Sequence, residues 1–280
     1  LCDRRQRQMC IRDRLNNIEA NGKTRIDHTK IPLDDRATYD LLSRGDTLGV
    51  FQLDSDGMRS LLKTLKPNNF NDISALIALY RPGPMDMDSH TNYAKRKNGL
   101  QKITPIHPEV AEPLKEVLDE TYGLIVYQEQ VIQIFQQLAG YSLGQADMVR
   151  RAISKKKKAQ IEKERHSFIH GDPERGIPGC VANGIPAQTG EDIYDEIYDF
   201  ANYAFNKAHA VSYAIVCYQT AWFKCHHMRE YMAALLTSVL DYQEKVAEYI
   251  GECRENGIRL MPPDINLSDA DFTVDNGNIR

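Results

Sequence analysis

A dense basic segment is the first place where this sequence could do chemistry. Met148–His166, MVRRAISKKKKAQIEKERH, holds eight Lys or Arg side chains and two Glu, although the whole chain carries a net charge of −4. If the segment is one helix, Arg151, Lys155 and Lys158 recur at i, i+4 and i+7 and share a face. Arg and Lys bind phosphate oxygens, so this face would suit a row of phosphates. A solvated basic face without a ligand is the alternative.

Two further places present hydrogen-bond donors to an anion. Arg81 stands in YRPGPM, where two prolines stop a helix and fix a tight bend. In AFNKAHAVSYA, Asn206, Lys207 and His209 come directly before a nearly all-apolar helix, whose first N–H groups can bind an anion. The alternatives are a solvated arginine at a helix end and, for the second motif, a helix cap with a core histidine.

Carboxylates that could hold a catalytic metal ion also occur in pairs. Asp86 and Asp88 form one DxD pair, and Asp269 and Asp271 form another. Either pair could place both carboxylates on one face of a strand. We reject both, because the first follows a proline bend and the second follows a double proline that is typical of an exit from a domain.

Zinc binding and base stacking are two weaker hypotheses. Structural zinc normally uses closely paired ligands. The available cysteines are eight residues apart and the histidines are adjacent and point apart, so we predict no metal site among Cys217, Cys225, His226 and His227. Tyrosines can stack on bases, but at helical spacing they are more typical of a core; the candidates are Tyr194, Tyr198, Tyr203 and Tyr218.

Helices must position most of these residues. Acids at 34 and 35 favour a helix start, and that helix should end at Gly45. Ser55 can cap the next helix, and Gly140 should close a long one. Leu48–Leu53, LGVFQL, has the composition of a strand. We expect the basic segment to begin its helix at Asp147.

The second half of the chain continues in helical patterns. Gly171–Gly190 is rich in Gly and Pro and is predicted to be a loop. Three patterns follow: one over residues 191–205, a nearly all-apolar one over 212–227, and a pair that ends at Asn256 and Gly257. The predicted fold class is mainly α with a few short strands.

Composition excludes several classes of protein. A net charge of −4 excludes a uniformly basic DNA-coating protein, but a local basic site is compatible with it. The six cysteines form no CxxC pair, which is typical of reduced thiols in the cytoplasm. No apolar run reaches the length of a membrane span. Residues 1–14, LCDRRQRQMCIRDR, show no apolar period and are interpreted as a non-native or adaptor-derived segment.

Six motifs in order resemble one known family. They are GVFQLDSDGM, ALYRPGPM, TYGLIVYQEQV, AGYSLGQADMVRRAISKKK, FNKAHAVSYAIVCYQTAW and LMPPDIN. Their order and spacing resemble the catalytic alpha subunit of bacterial DNA polymerase III, a C-family replicative polymerase, and more narrowly its fingers domain. This resemblance implies a palm-to-fingers connection over residues 15–50, a helical fingers domain over 51–263 and an exit linker over 264–280.

The resemblance also implies a function and a site. Such a fingers domain binds the incoming deoxynucleoside triphosphate (dNTP) and primer–template DNA during nucleotidyl transfer. Arg150 and Arg151 match a double arginine placed against the triphosphate. A lysine run matches beside it, and four further cleft-lining positions match with less certain individual roles. The whole set of implied phosphate-binding residues is Arg81, Arg150, Arg151, Lys155, Lys156, Lys157, Asn206, Lys207 and His209.

The resemblance places catalysis itself outside this chain. The Mg²⁺ ions of the intact enzyme would be held by palm aspartates, so this chain alone is expected to be inactive. Other replicase subunits, including the sliding clamp, would be bound by other regions of a cytoplasmic enzyme. Two alternatives stay open: a non-enzymatic helical module that binds nucleic acid or an acidic protein, and a self-contained enzyme that uses Asp269 and Asp271.

Overall fold

The fold is mainly helical, as the sequence predicts. The structure is a computed structural model that describes residues 11, 13–20, 22, 26–155, 158–201 and 203–280. Residues 13–20 are helical. The further α-helices are α1 (Arg36–Arg44), α2 (Asp56–Leu65), α3 (Phe70–Leu79), α4 (Pro82–Asp86), α5 (Ser89–Lys97), α6 (Lys115–Leu118), α7 (Gln128–Ala139), α8 (Leu143–Ser154), α9 (Lys158–His170), α10 (Ala187–Ala201), α11 (Lys207–His226), α12 (Met228–Ser238) and α13 (Gln243–Glu255).

Short elements complete the described part of the chain. Single turns of 3-10 helix occur at His28–Lys30, Pro108–Val110, Asp119–Thr121 and Pro173–Arg175. Among the residues described, the only strands are β1 (Val274–Asp275) and β2 (Asn278–Ile279), which pair antiparallel. No helix in these ranges is long and apolar enough to cross a membrane.

Several helix ends lie where the sequence places them. The Asp35 side chain accepts a hydrogen bond from the Thr38 N–H and caps α1, which ends at Gly45 in a left-handed conformation (φ 69°). Ser55 caps α2. Gly140 (φ 73°) ends α7 in the same way that Gly45 ends α1. Capping side chains and left-handed glycines are local signals, so the sequence alone was sufficient to locate these ends.

The predicted strand at Leu48–Leu53 is wrong. The segment is a succession of turns in which the Val50 N–H donates to the Thr47 carbonyl. Gly49 (φ 73°) and Gln52 (φ 63°) both adopt left-handed conformations, which interrupt any extended strand. The apolar residues of this segment therefore indicate that it is buried, but they do not indicate an extended backbone.

The predicted single basic helix is also wrong. Helix α8 begins at Leu143, one turn before Asp147, and it ends at Ser154. Lys155 forms a turn in which its N–H donates to the Arg151 carbonyl, and a separate helix, α9, starts at Lys158. Among the described residues, Arg151 lies in α8, Lys155 in the turn after it and Lys158 at the start of α9, so these three residues do not belong to one helix.

The chain divides into two compact units. The terminal unit comprises residues 1–70 and 214–280, and the central unit comprises residues 71–213. The divisions fall inside α3 and inside α11. The boundaries predicted at 14/15, 50/51 and 263/264 refer to the domains of the resembling family and stay predictions.

An aromatic cluster lies at the core of the central unit. Phe135 of α7 packs edge-on against Phe168 of α9 and Tyr194 of α10, with ring centroids 4.8 and 6.1 Å apart. All three rings are fully buried. Burial of large aromatic side chains supplies much of the energy that holds helices together. Tyr194 is thus a core residue, as its helical spacing indicates.

The terminal unit has its own core, in which several buried polar groups contact one another. The hydroxyl of buried Tyr231 donates to the Gly49 carbonyl at 2.7 Å. The buried ammonium of Lys224 lies 2.6 Å from Glu252 Oε1 and donates to a backbone carbonyl. Arg14 is buried with its guanidinium 3.8 Å from the Tyr231 ring centre. Arg14 falls in the segment interpreted as non-native, and whether that segment is native stays a prediction.

Candidate nucleotide-binding site

The start of α7 lies beside the segment that leads into α11. Tyr127 and Phe205 form a parallel bridge. The Gln128 N–H donates to the Phe205 carbonyl at 2.9 Å, and the Gln128 side-chain amide donates to the Ala204 carbonyl at 3.1 Å. A residue that binds neighbouring backbone through both its main chain and its side chain fixes the two segments against each other. This junction positions the residues described next.

Arg150 of α8 is joined to the same junction. Its Nη1 donates to Gln128 Oε1 at 3.1 Å, and its Nε and Nη2 donate to Asp147 Oδ1. Arg151 Nε lies 2.7 Å from the other oxygen of Asp147. The hydrogen bond from Arg150 lowers the pKa of Asp147, which therefore stays ionised at neutral pH. The Arg150 side chain is 17% exposed and that of Arg151 is 66% exposed, so Arg151 is the one open to a ligand.

Arg81 reaches the junction from the bend between α3 and α4. Its Nε donates to the Ala78 carbonyl and its Nη2 donates to the Tyr203 carbonyl at 2.6 Å. Its guanidinium lies 4.4 Å from the Phe205 ring centre, a cation–π distance. Burial lowers the pKa of Arg81. The bend holds Arg81 in a fixed position, and Pro82 begins a short helix instead of only ending one.

Glu129 occupies the anion position at the start of α11. Its two oxygens accept from the Asn206 side chain and from the Lys207 N–H, each at 2.9 Å. The Asn206 side chain in turn accepts from the His209 N–H at 2.9 Å. The anion at this helix start is a carboxylate of the chain itself, and whether a ligand anion also binds here stays a prediction.

Lys207 and His209 are held by separate partners. Lys207 Nζ lies 2.7 Å from both oxygens of Glu120. The His209 ring packs between Phe205 and Tyr213, with ring centroids 5.3 and 4.2 Å away. Of the alternative reading, the helix cap agrees with the Asn206 side chain accepting from the His209 N–H, whereas the core histidine is wrong because His209 is exposed. The start of α11 thus combines a cation with an accessible run of aromatic rings.

The structure brings together six of the nine residues implied by the resemblance. We call this set the donor cluster: Arg81, Arg150, Arg151, Asn206, Lys207 and His209. Lys155 is exposed in the turn after α8, and its backbone N–H donates to the Arg151 carbonyl. Lys156 and Lys157 lie outside the described residues.

Sequence reasoning missed the residues that hold the donor cluster in place: Gln128, Glu120, Glu129 and Asp147. One signal was present, because Asp147 precedes the two arginines by three and four residues, a spacing typical of helical ion pairs. Gln128 and Glu129 stand in a capping sequence, YQEQ, at the start of α7. Nothing in the linear sequence linked them to residues nearly eighty positions later.

The cations of the site are largely balanced by carboxylates of the chain. Four cations face three carboxylates, and each carboxylate already accepts hydrogen bonds from the cluster. Such pairs hold cationic side chains in fixed positions before a ligand arrives. Arg151, whose side chain is 66% exposed, is the cation of this set that is most open to solvent.

The two rejected aspartate pairs do not lie in strands. Asp86 is the last residue of α4, and Asp88 has a left-handed backbone (φ 54°) before α5. The Asp269 side chain accepts from the adjacent Ala270 N–H in an irregular segment. The strand geometry that would align either pair is therefore missing at these residues.

Comparison with known proteins identifies what this chain is similar to. A family model described as the bacterial DNA polymerase III alpha subunit finger domain matches residues 7–176. The chain is 51% identical over 270 residues to DNA polymerase III subunit alpha of Mycobacterium leprae, covering 96% of this chain and 22% of that protein. The corresponding Escherichia coli K12 protein is 45% identical over 263 residues, covering 92% and 22%. The chain spans about a fifth of the length of these curated relatives.

Proposed function

Because the chain belongs to the bacterial DNA polymerase III alpha subunit finger-domain family, we propose that it serves in a replicative DNA-directed DNA polymerase and binds the triphosphate of the incoming dNTP. One observation carries the site assignment. Donors from three distant segments, at Arg81, Arg150–Arg151 and Asn206–His209, meet around Gln128 and Phe205. Half-buried side chains, one amide and three carboxylates, hold these cations in place, which an incidental basic surface would not require.

The arrangement suits nucleotidyl transfer by positioning. This reaction asks little covalent chemistry of the protein, so its rate depends on aligning the triphosphate and stabilising its charge. Asp147 and Gln128 fix Arg150 before any ligand binds, and Arg151 extends beside it. Cations fixed in advance need no reorganisation as charge develops on the leaving phosphates.

The Mg²⁺ ions that such a polymerase uses do not fit the donor cluster. Divalent magnesium requires carboxylate or carbonyl oxygens that are free to coordinate. Glu120, Glu129 and Asp147 are each engaged by a cation or by N–H donors of the cluster. We therefore place the metal-binding carboxylates outside these residues and assign no metal-dependent step to them.

Primer–template DNA is the second ligand of the proposed function. Tyr203 is 42% exposed and precedes Phe205 by two residues, and the Phe205 ring contacts that of the exposed His209. Exposed aromatic rings can stack on bases. Other replicase subunits, the sliding clamp among them, would bind to other parts of such a polymerase. The proposed enzyme would act in the cytoplasm, where DNA is replicated in bacteria.

Charge reversal of the twin arginines tests the proposal. In the full-length polymerase, Arg150→Glu with Arg151→Glu should raise the KM for dNTP in template-directed primer extension by about 100-fold or more. Each charge-assisted hydrogen bond contributes about 1.5–3 kcal/mol, and 1.4 kcal/mol corresponds to a tenfold change. The measurement is the steady-state KM for one dNTP at saturating primer–template.

A matched control carries the same charge change on the terminal unit. Lys245→Glu with Arg254→Glu alters two exposed cations of α13 and should leave the KM for dNTP unchanged. An unchanged KM in the arginine variant would contradict the proposal. Loss of salt-dependent duplex binding with no change in KM would instead support the non-enzymatic nucleic-acid-binding alternative.

A further inference from the structure

Three metal-ligating side chains meet in the terminal unit. Asp35 precedes α1, while Cys225 and His226 end α11. One ligand atom from each residue lies within 4.8 Å of the other two. His226 Nε2 and Asp35 Oδ2 are only 2.8 Å apart. Residues 191 positions apart in sequence thus converge on one small volume.

Two of the three side chains are held in position by neighbours. The Asp35 carboxylate accepts from the Thr38 N–H at 2.9 Å and from the Thr38 hydroxyl at 2.6 Å. The His226 ring packs on the ring of Trp222, with centroids 4.8 Å apart. Cys225 is half-buried and forms no disulfide. Ligands that are oriented before binding lose less entropy when an ion arrives.

The donor set matches the preferences of zinc. Zn²⁺ binds thiolate sulfur, imidazole nitrogen and carboxylate oxygen, with four ligands in a tetrahedron. Bond lengths of about 2.0–2.3 Å place neighbouring donor atoms about 3.5 Å apart in that geometry. The three atoms here need to move by no more than about an ångström to reach it. Three protein ligands leave the fourth position open to water.

We propose that Asp35, Cys225 and His226 bind one Zn²⁺ ion, with water as the fourth ligand. Binding releases the thiol proton of Cys225, because the thiolate is the ligand. Burial and the nearby Asp35 carboxylate raise the pKa of this thiol, and the charge of the ion offsets both effects. The ion would tie the start of α1 to the end of α11 within the terminal unit.

The sequence could not reveal this site. Cys217, Cys225, His226 and His227 have the wrong spacing for a zinc motif. The described metal-ligating group contains neither Cys217 nor His227. The third ligand, Asp35, is supplied by a helix cap that has an evident structural purpose of its own. Only the folded chain brings it within reach.

Cobalt titration of the 280-residue chain tests the proposal. Co²⁺ occupies zinc sites and gives a thiolate-to-metal absorption band when cysteine is a ligand. We expect this band to saturate at one ion per chain, to disappear when Zn²⁺ is added, and to be absent in Cys225→Ser. Asp35→Asn keeps the helix cap, since Asn caps as well as Asp, and should weaken binding by more than about tenfold.

Two neighbouring substitutions serve as controls. Cys217→Ser and His227→Gln change a thiol and an imidazole of the same region outside the group and should preserve both the band and the affinity. A chain that shows no thiolate band, or a band that persists in Cys225→Ser, would overturn the proposal. If Cys225→Ser lowers the Tm in the absence of metal, its loss of the band could reflect unfolding. In that case the affinities of Asp35→Asn and His226→Gln for Co²⁺ test the proposal instead. If both variants bind Co²⁺ with the same affinity as the unaltered chain, the proposal is also overturned.

Discussion

Glu129 shows how a single side chain can prepare a binding site. Its carboxylate binds the first N–H of α11 and the Asn206 amide, where a helix start carries partial positive charge. The same side chain belongs to the junction at the start of α7. It therefore fixes the direction in which Lys207 and His209 leave the junction.

Removal of this carboxylate should destabilise the central unit. We expect Glu129→Ala to lower the free energy of unfolding by about 1–2 kcal/mol, the usual cost of losing a helix cap. Glu129→Gln should cost about half as much, because its amide oxygen can still accept one hydrogen bond. Urea unfolding followed by circular dichroism measures both. The exposed Glu162→Ala on α9 is the control and should change stability by less than about 0.5 kcal/mol. Equal stability of Glu129→Ala and the control would contradict the cap.

At the scale of elements, the short helix α4 sets the position of Arg81. A Cβ atom added at Gly83 would lie 2.0 Å from Cδ1 of Tyr203, a separation that no real structure tolerates. Tyr203 in turn supplies the carbonyl that accepts from Arg81. The absence of a side chain at Gly83 is therefore what lets α4 approach the segment before α11.

Gly83→Ala should disturb this approach. We expect a loss of about 1–3 kcal/mol in the free energy of unfolding, the range for a steric clash that neighbours must absorb. Gly144→Ala is the matched control, since nothing lies within 4 Å of a Cβ added there and alanine favours the helix. Urea unfolding of both variants measures the difference. A Gly83→Ala chain as stable as Gly144→Ala would show that Tyr203 moves aside without cost.

Helix ends could be predicted from sequence where a residue at the end itself determines the structure. Asp35, Ser55, Gly45 and Gly140 mark helix ends through their own side chains or backbone freedom, and the structure confirms them. Leu48–Leu53 was wrongly predicted because left-handed turns leave little trace in an apolar composition. The carboxylates that pair with the donor cluster were missed because their partners are distant in sequence.

At the scale of the whole molecule, the two units have separate proposed roles. Every residue of the donor cluster belongs to the central unit, and the proposed zinc ligands all belong to the terminal unit. The family model matches residues 7–176 and so includes Arg81, Arg150 and Arg151, whereas Lys207 lies beyond its match and is covered by the similarity to whole alpha subunits. An experiment can therefore contradict the proposed nucleotide site without affecting the proposed zinc site, and the reverse.

Photo-crosslinking of the bound nucleotide tests the triphosphate assignment most directly. The full-length polymerase is mixed with primer–template and a dNTP that carries an aryl azide on its γ-phosphate. The mixture is then irradiated, and the labelled peptide is sequenced. We expect the label in α8 or in residues 204–209, and competition by unlabelled dNTP but not by the deoxynucleoside. Labelling confined to peptides outside residues 71–213 would contradict the proposed site.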